Sequence, residues 1–251
     1  MLLRLRKNGR GVAEHIIEAN GVELCTEPFG DPGDPPVLLV MGVGGSMLWW
    51  EEGFCRLLAE GGRFVIRYDH RDTGRSVTCE PGRPQYTGAD LVADAVGVLD
   101  AYEVAAAHVV GISAGGAFAQ LLALGFPDRV LSLVLISTSP ATAGERSLPS
   151  ATERFNDFLA SAEVDWSDRG SVIEYLVAYE RMLAGGARAF DEVAWRALDV
   201  AADELAASHL VEGTHASREH ALVGDQVLDR RPSIRPIHLR RGQEVGEPLS
   251  S

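Results

Sequence analysis

The sequence predicts an α/β fold, with a mostly parallel sheet, an antiparallel N-terminal hairpin and a helical cap. Three observations carry this. The continuous apolar run at residues 37–41 lacks polar alternation, as a strand covered on both faces does, and 64–68 and 130–136 read as further strands. Helically spaced segments separate them, so strand and helix alternate over residues 37–136 and ligands are expected at the strand carboxyl ends. Finally, His108-Val109-Val110 runs into Gly111-Ile112-Ser113-Ala114-Gly115, where β-branched residues give way at once to a small-residue helix start.

Residues 1–12 carry Arg4, Arg6, Lys7 and Arg10 with no apolar run behind them, and read as a mobile arm rather than a secretory signal. Residues 15–19 and 22–27 flank Asn20-Gly21, which tolerates the positive φ angles of a two-residue turn, so they should pair as a hairpin at one sheet edge. A Pro/Gly/Asp-rich loop leads into the strand at 37–41, which ends in Gly42-Val43-Gly44-Gly45. Residues 47–60 have helical spacing and stop at Gly61-Gly62. The strand at 64–68 is followed by a polar loop, Asp69-His70-Arg71-Asp72-Thr73-Gly74-Arg75-Ser76. Leu91, Val92, Ala95, Val96 and Leu99 then mark a helix over 90–101. After the helix behind Ser113, Pro127-Asp128-Arg129 turns the chain into 130–136, read as another buried strand.

Beyond Ser139-Pro140 the pattern becomes helical, rich in Ala and charge, with Phe155, Phe158, Trp166, Tyr175, Tyr179, Met182 and Trp195 along it. Such aromatics pack a cap core or line an acyl pocket, and packing is the commoner role. The expected division is a core over 13–140, a helical cap over 141–222 and an atypical tail over 223–251.

With 251 residues, 46% hydrophobic and 24% charged, the composition fits one soluble α/β domain. A net charge of −13 argues against nucleic acid and anionic membrane surfaces as partners, and no segment is long and apolar enough to span a bilayer. Cys25, Cys55 and Cys79 are widely spaced without a C-x-x-C, which suggests neither a disulfide framework nor a zinc site and fits a reducing cytoplasm. His209, His215 and His220 lack the i, i+4 pair of a helical zinc site and read as solvated.

The junction at Ser113 has the form of a nucleophile elbow. Gly111 and Gly115 remove Cβ atoms that would clash in so sharp a turn, letting Ser113 take a strained backbone conformation with Oγ projecting from the strand end. The Ala114 amide and the helix N-terminus point to where a tetrahedral oxyanion would form.

Leu38-Leu39-Val40-Met41-Gly42, Val65-Ile66-Arg67-Tyr68 with the loop through Ser76, and His108 to Gly115 together resemble the α/β-hydrolase fold superfamily over about residues 20–200. Within it the chain is similar to aclacinomycin methylesterase-like actinobacterial esterases, while cofactor-free haloperoxidases and perhydrolases share the framework. The resemblance implies Ser113 as nucleophile, the backbone N–H groups of Val43 and Ala114 as oxyanion hole, a small-molecule carboxylic ester as substrate, and no metal or organic cofactor. Gly42 and its neighbours suit that role because small residues let backbone donors approach a carbonyl. Asp69, His70 and Asp72 invite a metal or acid–base reading. A structural one is preferred, with Arg71 and Arg75 pairing the carboxylates within the loop.

Such an enzyme needs an acid and a histidine after the nucleophile, in the order Ser, Asp or Glu, His, and no motif for either is found. The segment 234–239 stands where the acid-bearing strand should begin but continues as a polar tail. Thirteen residues follow His238, whereas a strand-helix-strand crossover takes about 30. The expectation is that the C-terminal strands are missing, as a reading-frame change would produce, and that turnover is impaired. Losing the triad histidine costs on the order of 10⁶ in rate, roughly 8 kcal/mol. His220 with Asp225, or His238, would be makeshift bases. The strand at 130–136 would then be a bare edge, with Leu133 and Leu135 inviting homodimerisation. A non-catalytic binding protein that keeps the pocket is the rival reading.

Overall fold

The computed structural model describes residues 4–7, 13–42, 44–80, 83–141, 152–161, 163–165, 168–184, 190, 192 and 193. Seven strands form one sheet: β1 (Arg4–Lys7), β2 (Ala13–Ala19), β3 (Val22–Phe29), β4 (Pro36–Val40), β5 (Phe64–Tyr68), β6 (Ala107–Ile112) and β7 (Val130–Ile136), in the order β1-β2-β3-β5-β4-β6-β7. β4 through β7 are mutually parallel, and β1, β2 and β3 are antiparallel additions on the β5 side. Asn20 (φ 48°) and Gly21 (φ 76°) make the tight β2–β3 turn that their sequence requires.

Residues 4–7 depart from the expectation of a mobile arm. As β1 they pair with β2 from Arg4↔Ile16 to Lys7↔Ala13, so the hairpin is one strand in from the edge. A hairpin edge carries a row of unpaired amides and carbonyls, and a short strand covers it at small entropic cost.

Alternate residues of β4 face opposite layers, which explains its unbroken apolar run. Leu38 and Val40 join Leu24, Ile66, Tyr68, Leu99, Val109 and Leu122 in one core. That face is covered by α2 (Gly88–Ala101) and α3 (Ala114–Gly125). Val37, Leu39 and Met41 join Phe29, Trp50, Cys55 and Val65 on the other face, over which α1 (Glu52–Glu60) packs. At about 1.5–3 kcal/mol per fully buried aliphatic side chain, these layers hold the sheet together.

The single helix expected over 47–60 is broken. A 3₁₀ turn at Met47–Trp49 precedes α1, because the buried Arg67 guanidinium takes the Trp50 carbonyl that would otherwise serve a continuous helix. Arg67 also pairs with the buried Glu27 and lies 5.2 Å from the centroid of the Phe29 ring.

The strand at 130–136 is where expected, and it is the expected bare edge rather than a buried strand. β7 is the outermost strand among the described residues, and Leu131, Val134 and Leu135 are 56%, 48% and 44% exposed. The physical reason is position: nothing described packs on its far side. Past it, α4 (Glu153–Ser161) and α5 (Arg169–Ala184) stack Phe155, Phe158, Tyr175 and Tyr179 against one another at centroid distances of 5.7–6.4 Å. These four aromatics therefore pack helix to helix. Trp166, Trp195 and the tail 223–251 lie outside the described residues.

Candidate active site

Parallel strands β4, β5 and β6 end side by side, and their three exits build the site. β6 ends at Ile112, and Ser113 follows with φ 54° and ψ −123°, a left-handed conformation that costs a non-glycine residue about 1–3 kcal/mol. Its neighbours make this possible. A Cβ on Gly111 would overlap the Gly115 carbonyl, and one on Gly115 would overlap the Val40 and Met41 carbonyls. Gly116 is equally confined, since a Cβ there would stand 2.6 Å from that of Thr138.

The elbow is tied down on two sides. Ser113 N–H donates to the Ile136 carbonyl (2.9 Å) at the end of β7, and the Ser113 carbonyl accepts from Gly116 N–H (3.0 Å) inside α3. The side chain is left exposed. Ala114 opens α3, so its amide is one of the first-turn donors that lack an intrahelical acceptor. Gly42, just past β4, faces the elbow: a Cβ there would stand 3.3 Å from Ser113 Cβ and 3.8 Å from Oγ. Glycine leaves that space open for a reacting group. Val43, expected as the second oxyanion donor, lies outside the described residues.

The exit of β5 is organised differently. Asp69 is buried, and its Oδ1 accepts from the Ser46 hydroxyl (3.1 Å) and Met47 N–H (2.7 Å) while Oδ2 accepts from Arg75 N–H (3.0 Å). Asp72, at φ 60°, accepts from Cys79 N–H (2.5 Å). Asp69 thus holds two amides and a hydroxyl, and Asp72 an amide and the Tyr86 side chain, as the structural reading expects. The expected pairing of Arg71 and Arg75 within the loop is corrected, however. Arg71 forms a two-pronged bond to the buried Asp94 of α2 (2.7 Å each), and Arg75 pairs with Glu14 of β2. A tight turn cannot fold long guanidinium side chains back onto its own carboxylates when those already face inward.

His70 is buried, with Nε2 3.0 Å from the Met41 carbonyl, and burial lowers its pKa. Nothing in the loop sequence distinguishes this contact. The other described histidines are engaged elsewhere, His15 Nδ1 with the Tyr102 hydroxyl (3.2 Å) and His108 Nδ1 with the Ser132 hydroxyl (2.8 Å). Among the described residues, none of the three bonds to Ser113. His209, His215, His220, Asp225 and His238 lie outside the described residues. No group of His, Cys, Asp and Glu suited to a metal occurs among the described residues, and no described helix is long and apolar enough to cross a membrane.

A sheet of this order with a glycine-flanked serine at the central elbow defines a class, and the family model for the alpha/beta hydrolase fold matches residues 35–169. The chain belongs to the α/β-hydrolase fold family and is an esterase-like hydrolase enzyme. It is 38% identical to rhodomycin D methylesterase DnrP of Streptomyces peucetius and 36% identical to rhodomycin D methylesterase DauP of Streptomyces sp. (strain C5). Each match spans 240 residues, 90% of this chain and 77% of the relative. Among solved structures, it is similar in fold to epoxide hydrolase VrEH1 from Vigna radiata, with a TM-score of 0.64 and 17% identity over 89% of this chain and 77% of that one.

Proposed function

We propose that the chain hydrolyses a small-molecule carboxylic ester through an acyl-enzyme on Ser113. The carrying observation is the strained, exposed Ser113 set against the open face of Gly42 at the mouth of a parallel sheet. Ser113 Oγ attacks the ester carbonyl and its proton passes to a base. The Ala114 amide and that of Val43 hold the oxyanion, the alcohol departs, and water releases the acid. This route requires no metal or organic cofactor. That DnrP and DauP are rhodomycin D methylesterases supports a methyl ester, and a rhodomycin-type compound is the first substrate to try.

The sequence offers no motif for the acid and histidine after Ser113, so the reading includes impaired turnover, with catalysis resting mainly on the oxyanion donors. That same observation favours one alternative, a binding protein that keeps the pocket without the chemistry. A fluorophosphonate probe separates the two. Stoichiometric labelling abolished by Ser113→Ala supports the hydrolase, and an unlabelled folded chain supports the binder. Perhydrolase action would show as peroxide-dependent turnover at the same serine.

The finer partner readings follow from charge and from β7. An acidic chain repels nucleic acid and anionic membranes. β7 is uncharged along its length and exposes Leu131, Val134 and Leu135, which supports antiparallel pairing with β7 of a second copy. Sedimentation at increasing concentration should show a dimer, weakened by Val134→Lys. Cys25, Cys55 and Cys79 are free thiols, which supports a cytoplasmic setting.

A further inference from the structure

The Met41 carbonyl is the first backbone acceptor beyond the β4 ladder. Pairing with β6 ends at Val40↔Gly111 and pairing with β5 at Leu39↔Arg67, so neither neighbouring strand supplies a ladder donor at residue 41. Met41 is buried, and a buried carbonyl without a donor is costly. His70 meets this need from the exit of β5, with Nε2 at 3.0 Å. A carbonyl only accepts, so this nitrogen carries the hydrogen.

The rest of the ring lies between two aromatic rings, with the Asp94 carboxylate acting on it through space. It packs edge-on to Tyr68 (5.0 Å between centroids) and to Phe118 of α3 (5.7 Å). Nδ1 is buried and has no hydrogen-bond partner among the described residues. A second N–H there would be orphaned, so the ring is held as the neutral Nε2–H tautomer. Leaving one buried nitrogen unsatisfied is costly, which stability alone does not explain.

The same ring touches all three strand exits of the site: its own, the end of β4 through Met41, and the elbow helix through Phe118. The Met41 carbonyl also abuts the elbow, at the point where a Gly115 Cβ would overlap it, and Gly42 next to it faces Ser113. We propose that His70 is a positioning residue, whose Nε2–H fixes the Met41–Gly42 peptide and so sets the glycine turn against Ser113 for the oxyanion step. This rests on Ser113 being the nucleophile.

The test compares His70→Phe, which keeps the ring contacts but removes the N–H, with His70→Gln, which restores an N–H of similar reach. His70→Phe should lower kcat about tenfold or more with KM within about twofold, and His70→Gln should recover most of the loss. Equal kcat in wild type and His70→Phe, or equal loss in both variants, overturns the proposal. Imidazole nitrogen NMR of the unsubstituted chain should show Nε2 protonated and Nδ1 bare at pH 7. A charged ring or the Nδ1–H tautomer also overturns it, even where His70→Phe does not fold. Ser113→Ala, run alongside, reports on the nucleophile separately. Should the unsubstituted chain show no Ser113-dependent turnover, amide exchange at Gly42 decides: faster in His70→Phe and restored in His70→Gln upholds the clamp, and no change refutes it.

Discussion

Two turns leave the sheet on either side of the β4 exit, one after β5 and one after β6, and both hold a non-glycine residue at positive φ: Asp72 at 60° and Ser113 at 54°. In the first, every described carboxylate contact goes to backbone or a hydroxyl. Asp69 takes two amides and the Ser46 hydroxyl, while the Ser76 hydroxyl donates to the Asp69 carbonyl (2.7 Å) and accepts from Cys25 N–H (2.9 Å). In the second, the backbone is anchored as firmly, yet the serine side chain is exposed. Strain alone therefore does not mark a functional residue. What separates the two is whether the polar side chain is consumed by the fold or left facing open space.

The largest expected effect lies on the open side. Ser113→Ala should reduce ester turnover to the blank, a loss of up to ~10⁶ for an intact serine hydrolase, while the melting temperature stays nearly unchanged. Colorimetric ester assays and thermal melts check this. On the consumed side the pattern should invert. Asp69→Ala strips two amides and a hydroxyl of a buried acceptor and should cost about 3–5 kcal/mol in urea unfolding. If Asp69→Ala instead abolished turnover with stability intact, the division between the two turns would be wrong.

A smaller effect is expected where the β5 turn reaches outward. Arg71→Leu leaves the buried Asp94 carboxylate with only the Asn20 amide (3.0 Å) among its described side-chain partners. It should destabilise by about 2–4 kcal/mol, read from the same urea curves. Gly115→Ala should cost about 1–3 kcal/mol by pushing α3 off the Val40 and Met41 carbonyls, and should lower turnover more than its stability loss implies.

The smallest effect is the pH response of His70. Burial depresses its folded pKa below the ordinary imidazole value of 6.5, so the unfolded chain binds this proton first as pH falls. Its stabilising effect is complete above pH 6.5 and is lost as pH falls toward and through the folded pKa, by at most about 1.4 kcal/mol per pH unit. Urea midpoints between pH 7 and 5 should fall less steeply in His70→Phe than in the unsubstituted chain.

Much of the contrast between the turns was legible in the residues. Gly111 and Gly115 around Ser113 announce close backbone approach, and the loop of Asp69 to Ser76 has enough donors and acceptors to satisfy itself. Its actual partners were not legible: Arg71 reaches Asp94, 23 positions on, and Arg75 reaches Glu14, 61 positions back. The interruption between Trp49 and Glu52 escaped the helical spacing for the same reason, since Arg67 takes the Trp50 carbonyl from another strand. The bare edge at 130–136 was legible from the polar stretch beyond 234–239, although its apolar run by itself reads alike whether or not another layer covers it.

Strand order in time, the hairpin at Asn20-Gly21 and the sharp bend at Ser113 were set by the sequence alone, because side-chain period and glycine placement act over a few neighbouring residues. Which guanidinium meets which carboxylate, how β1 closes the hairpin edge and why His70 lies under Met41 were decided only by tertiary structure. Those contacts join residues far apart in the chain, and the sheet must assemble before the buried groups it brings together can find one another.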